Sequence, residues 1–100
     1  MPIESGTERY PDSVAAVRAF FAQYYGSDIA VSVDDAEQIV RFSVGPARKP
    51  IAFTFEFLAA FDAPQIRENL AAWNIAHLSR TLERGCRLLV TSEGTEEERA

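Results

Sequence analysis

At 100 residues, with 47% hydrophobic and 25% charged side chains, the chain has the make-up of one globular domain and too little length for a second core. A net charge of −5 and a pI near 4.8 exclude a surface built mainly to hold nucleic acid or an anionic membrane, because both need excess positive charge. The single cysteine, Cys86, excludes an internal disulfide and a multi-cysteine zinc site, and it fits a reducing compartment. The segment Met1 to Thr7 has neither the basic start nor the apolar run of a secretory signal, and no apolar stretch approaches the roughly 20 residues of a membrane span. A cytoplasmic protein is the expectation.

Residues 1–9 are polar, show no period and read as a loose arm. A first helix is predicted from Pro11 to Tyr25. Pro11 suits an opening turn, Asp12 suits its positive end, and Gly26 supplies the stop. Val14, Val17, Phe20, Phe21, Tyr24 and Tyr25 fall on one arc of this helix, with Asp12, Ala15, Ala19 and Gln23 opposite.

From Asp28 the period becomes two. Ile29, Val31 and Val33 mark a first strand, and Val40, Phe42 and Val44 a second, after the turn at Asp34-Asp35-Ala36-Glu37. Gly45 to Pro50 reads as a loop. Ile51-Ala52-Phe53-Thr54-Phe55-Glu56-Phe57 then alternates apolar residues over its whole length and is expected to be the spine of the sheet. Closing the second loop symmetrically sets Phe42 opposite Phe53 and Val40 opposite Phe55; closing the first turn sets Val31 opposite Val40. Ala30, Ser32, Arg41, Ser43, Ala52, Thr54 and Glu56 collect on the other face, small and polar as a face toward water should be.

Asp62 as N-cap, Gln65 as its capping-box partner and Phe61 with Ile66 as a hydrophobic staple announce a second helix, predicted to run to Arg84 and stop at Gly85. Its apolar arc is broad. Ile66, Leu70, Trp73 and His77 form one stripe, and Ala71, Ile75, Leu78 and Leu82 another, so the helix is expected to meet more than a sheet, either the first helix or a second subunit. Cys86 to Thr91 suits a last strand, parallel to the first and third, and residues 93–100 read as a disordered acidic tail. The expected class is α+β, in the order α-β-β-β-α-β: an antiparallel meander with two helices packed on its phenylalanine face.

The order α-β-β-β-α resembles that of double-stranded-RNA-binding domains. The start of the second helix, Ala63-Pro64-Gln65-Ile66-Arg67-Glu68, lacks the lysines that RNA binding there requires. The order is also similar to that of small acidic α/β dimers that act as secretion chaperones, with no motif that maps residue by residue.

No motif joins a nucleophile to a base, and no catalytic, cofactor or metal set is assigned. His77 reads as a general base or as a packed or half-exposed helix residue; the second is the simpler account. Cys86 lies at a helix C-terminus, the wrong end for lowering a thiol pKa. Asp34, Asp35 and Glu37 lack the glycine and distant glutamate of a calcium loop. Arg48 and Lys49 tip a loop. Arg41 and Glu56 lie diagonally on the solvent face, as a ligand or partner contact or as a surface ion pair. The expected function is a protein-binding or regulatory module, homodimeric, with itself and another protein as partners and no nucleic acid or membrane. The alternative is a small-ligand-binding protein or small enzyme, with a pocket between helices and sheet near Tyr24, Tyr25, Trp73, Asn74 and His77; Asn74, between the two apolar stripes, is its clue.

Overall fold

The computed structural model describes residues 10–99; the segment predicted to be a loose arm, residues 1–9, lies outside the described residues, as does Ala100. The order is α1 (Pro11–Tyr25), β1 (Ile29–Asp34), β2 (Ile39–Val44), β3 (Lys49–Thr54), α2 (Phe55–Ala60), α3 (Ala63–Ala72), α4 (Ile75–Thr81), β4 (Cys86–Thr91) and β5 (Gly94–Arg99). The class is α+β, with helices packed against a five-stranded sheet in the order β1-β2-β3-β4-β5. The sheet is mixed rather than a purely antiparallel meander: β3 and β4 are parallel, and every other pairing is antiparallel. The connection through α2, α3 and α4 carries the chain back to start β4 beside β3, as a parallel pairing requires.

Helix α1 occupies the predicted span. Tyr10 precedes Pro11, and Gly26 closes the helix at φ 63, where a side chain would be strained. Val14, Val17, Phe20 and Phe21 are buried as expected, whereas Tyr24 is 47% exposed.

Each register differs by two residues from the closure expected: the second hairpin closes tighter, with a loop of four residues instead of six, while the first keeps a loop of four and turns one residue later. Val40 faces Phe53, Phe42 faces Ile51, and Val31 faces Phe42. The loops are residues 35–38 and 45–48, and each ends in a left-handed residue, Gln38 (φ 58) and Arg48 (φ 54), which lets a short loop rejoin the next strand. Asp34 Oδ1 accepts from the Glu37 N–H at 3.1 Å and braces the first loop. A shift of two keeps every side chain on its own face, so the core is unaffected. Phe42 and Phe53 still touch, diagonally and edge to face, with ring centroids 5.4 Å apart. Pro50, expected in the loop, lies in β3 opposite Ser43. Its missing N–H falls on the β4 side, one residue before the parallel ladder begins at Ile51.

The spine strand is shorter than its alternation implies. It stops at Thr54, whose hydroxyl accepts from the Phe57 N–H at 3.0 Å and caps α2. Phe55 and Phe57 are buried from a helix instead of a strand, and Phe57 stacks back on Phe53 at 5.5 Å. Ser13, buried in α1, donates to the Leu58 carbonyl at 2.9 Å and ties α1 to α2.

The predicted long second helix is two helices. The capping box at its start is present in full, with Asp62 and Gln65 each accepting from the other's backbone N–H at 2.9 and 3.0 Å. The break comes at Asn74, which adopts φ 60 and ψ 38; asparagine is among the few residues with a side chain that enter this region readily. The turn splits the broad apolar arc between α3, which buries Ile66 and Leu70 and packs on α1, and α4, which buries Ile75. The chain leaves helix at Thr81, before the expected stop at Gly85. Lys49 Nζ donates to the Arg80 and Leu82 carbonyls at 2.7 and 3.3 Å, so a cation from β3 satisfies the end of α4.

Strand β4 matches its predicted bounds. The acidic segment predicted to be a disordered tail is instead β5, paired with β4 from Cys86 opposite Arg99 to Thr91 opposite Gly94.

Candidate functional site

The residues singled out from the sequence do not converge. Glu56 is exposed in the first turn of α2, not on a strand, so it forms no cross-strand pair with Arg41. Arg41 lies on the open sheet face and approaches Asp34 at 3.9 Å instead. Trp73 ends α3 half-buried, with its ring 5.9 Å from Phe57. Asn74 is exposed, so its amide is no buried group in search of partners; its part is the backbone turn. His77 is exposed on α4, and its side chain makes no hydrogen bond or ion pair among the described residues. Tyr25 is turned toward the sheet end, where its hydroxyl meets the buried Ser79 hydroxyl at 2.6 Å and its ring covers Gly45.

Other groups do meet. On the open face Arg87 Nε holds Glu98 at 2.9 Å and its Nη1 holds Glu37 at 3.1 Å, linking β4, β5 and the first hairpin loop. Burial pulls the guanidinium pKa down, but the hydrogen bonds to Glu98 and Glu37 outweigh it and the net shift is upward. Around this pair lies a depression of about 420 Å³, lined also by Arg41, Pro50 and Arg99. The carboxylates and guanidiniums there largely neutralise one another, which suits a fixed scaffold better than the capture of a free anion. The sequence conceals this network because residues 93–100 have the composition of a tail.

At the same end of β4, on the opposite, helix-covered face, the Glu83 and Glu97 carboxylates and the Cys86 thiol lie within 4.8 Å of one another. Cys86 is buried; burial, Glu97 and Glu83 push its thiol pKa up, and Glu97 accepts its hydrogen bond. The arrangement keeps the thiol protonated and poorly nucleophilic. Of the two loop cations, Arg48 approaches Asp28 at 3.5 Å and Lys49 is engaged by α4, so Lys49 is not offered to a partner.

Between α1 and the α2–α3 corner runs a groove of about 760 Å³, with Ala16, Ala19 and Leu58 among its lining and Tyr10, Phe61 and Arg67 around it. The last surface feature is the pair of sheet edges. On β5, Glu96, Glu97, Glu98 and Arg99 follow in succession. On β1, Ile29 through Val33 carries neither charge nor proline; Ile29, Val31 and Val33 are half-buried, and Ala30 and Ser32 are exposed.

Comparison of the chain with protein-family models, with curated proteins and with solved structures returns no match. Among the described residues no helix is long and apolar enough to cross a membrane.

Proposed function

We propose that the chain is a protein-binding or regulatory module without chemistry of its own, and that it works as a homodimer. The breadth of the second helix, which first suggests an interface, is accounted for by the break at Asn74, so it no longer supports the reading. The observation that carries it is the inequality of the two sheet edges. An edge strand presents unpaired N–H and C=O groups to any passing chain, and proteins guard such edges with charge, proline or cover. Here β5 is guarded by a run of charge while β1 is left apolar and uncharged over most of its length. An edge left open in a chain that guards its other edge is one kept for pairing.

Sedimentation equilibrium at micromolar concentration tests the reading. The expected mass is twice the 11.1 kDa of one chain, and a single-chain mass through tens of micromolar overturns it.

A further inference from the structure

We infer that two copies join through antiparallel pairing of their β1 strands, across a two-fold axis at Ser32, to form one continuous sheet of both molecules. This rests on the reading of the chain as self-associating and adds the surface and its register.

The free backbone groups of β1 follow from its bonds to β2. The Gly45 N–H donates to the Asp28 carbonyl at 2.9 Å, so the pair Asp28 and Gly45 is hydrogen-bonded, next to the register pair Ile29 and Val44. In an antiparallel ladder bonded pairs alternate with unbonded ones. Ala30, Ser32 and Asp34 therefore bond inward to β2, and the N–H and C=O of Ile29, Val31 and Val33 point away from the sheet. The Ile29 N–H is already used, donating to the Ser27 carbonyl at 2.8 Å. Among the described residues, Val31 and Val33 are left with both groups free.

Few self-pairings fit that set. Centring the axis on Val31 sets Asp34 opposite Asp28 of the second copy and also asks for the Ile29 N–H. Centring on Ala30 asks for the same N–H. Centring on Val33 runs Val31 into Asp35, in the turn beyond the strand. Centring on Ser32 sets Val31 opposite Val33 of the second copy and the reverse, so that the free N–H and C=O of both valines in both copies are used, in four hydrogen bonds. Asp34 then faces Ala30 of the second copy, and no carboxylate faces another. Its own charge is offset by Arg41 at 3.9 Å. Residues directly opposite point to the same side of a sheet, so valine meets valine on the helix-covered face and serine meets serine on the open face.

Cysteine cross-linking reads the register. In this pairing Ser32 faces itself as an unbonded pair, with Cα atoms about 4.5 Å apart, inside the range a disulfide spans. Ala30 lies about 14 Å from its copy, four residues along the strand, which is too far. Both positions are exposed, and the native Cys86 is buried, so the wild-type chain sets the background. Under mild oxidation Ser32→Cys should give a disulfide-linked dimer on a non-reducing gel at least an order of magnitude faster than Ala30→Cys. Sedimentation of the reduced variants is measured alongside. A protein that sediments as a dimer but cross-links no faster through Ser32→Cys than through Ala30→Cys overturns the β1 register and leaves self-association standing. A single-chain mass overturns both.

Discussion

Replacing Phe53 by alanine should remove the centre of the aromatic core. The side chain is fully buried on β3, with ring centroids 5.4 Å from Phe42, 5.5 Å from Phe57 and 6.2 Å from Phe21, so it joins two strands, α2 and α1. Truncating a buried phenylalanine costs about 3–5 kcal/mol in lost transfer energy and residual cavity. The upper part of that range is expected here, because three ring contacts are lost and rigid neighbours on a sheet cannot close in. For a domain of this size each kcal/mol lowers the melting temperature by about 4–8 °C, so a fall of roughly 12–40 °C follows. Total stabilities of small domains run from about 5 to 15 kcal/mol, so the alanine variant could be largely unfolded at 37 °C. Phe53→Leu, which keeps most of the volume, should lose far less and remain measurable. Thermal melts followed by circular dichroism decide the matter. A Phe53→Ala midpoint within about 5 °C of wild type would refute the placement of Phe53 at the convergence of sheet and helices.

Two further substitutions probe the helical connection. Asp62→Ala removes the acceptor for the Gln65 N–H and should cost about 0.5–2 kcal/mol, with faster amide exchange at Gln65 and Ile66; unchanged exchange there would mean that α3 is not held by its capping box. Asn74→Ala puts a residue with no local hydrogen-bonding side chain at φ 60 and should cost on the order of 1 kcal/mol, whereas Asn74→Gly should stay close to wild type. An alanine variant more stable than wild type in urea would show that the helix prefers to run on.

Much of the fold was legible because its signals are local. The bounds of α1 follow from Pro11 and Gly26, the capping box at Asp62 fixes the start of α3, and β4 stands between Gly85 and the Ser92-Glu93 turn. The errors came where one pattern serves two structures. Phe53, Phe55 and Phe57 alternate like a strand, yet Phe53 and Phe57 are also four apart, and the chain can turn helical at Thr54 while keeping all three inside. Threonine three residues before Phe57 was the available cue, as an N-cap. Asn74 gave a truer signal than its interpretation. Its position between two apolar stripes marks the place where one helix face hands over to another, which a backbone turn achieves and a buried amide does not. The candidate residues stay apart for the same reason. Arg41 with Glu56 presumed a longer β3, and His77 with Trp73 presumed an unbroken helix.

The acidic carboxyl-terminal segment carries the more general lesson. Glu96, Glu97, Glu98 and Arg99 have the composition of a solvated tail, because charge in succession offers nothing to a core. An outer strand needs little core, however. Its neighbour β4 supplies the hydrogen bonds, Glu98 finds Arg87 on the open face, and Glu97 lies beside the Cys86 thiol on the other. What remains is an edge that must pair on one side and refuse pairing on the other, and a row of like charges does both, since repulsion discourages a further strand more than it weakens a ladder already anchored by Arg87. Composition alone cannot separate that strand from a tail; the turn at Ser92-Glu93 and the glycine at position 94, following a strand of matching length, can. The same reasoning makes the lack of charge from Ile29 to Val33 informative, and it is the contrast between this edge and β5 on which the proposed self-pairing rests.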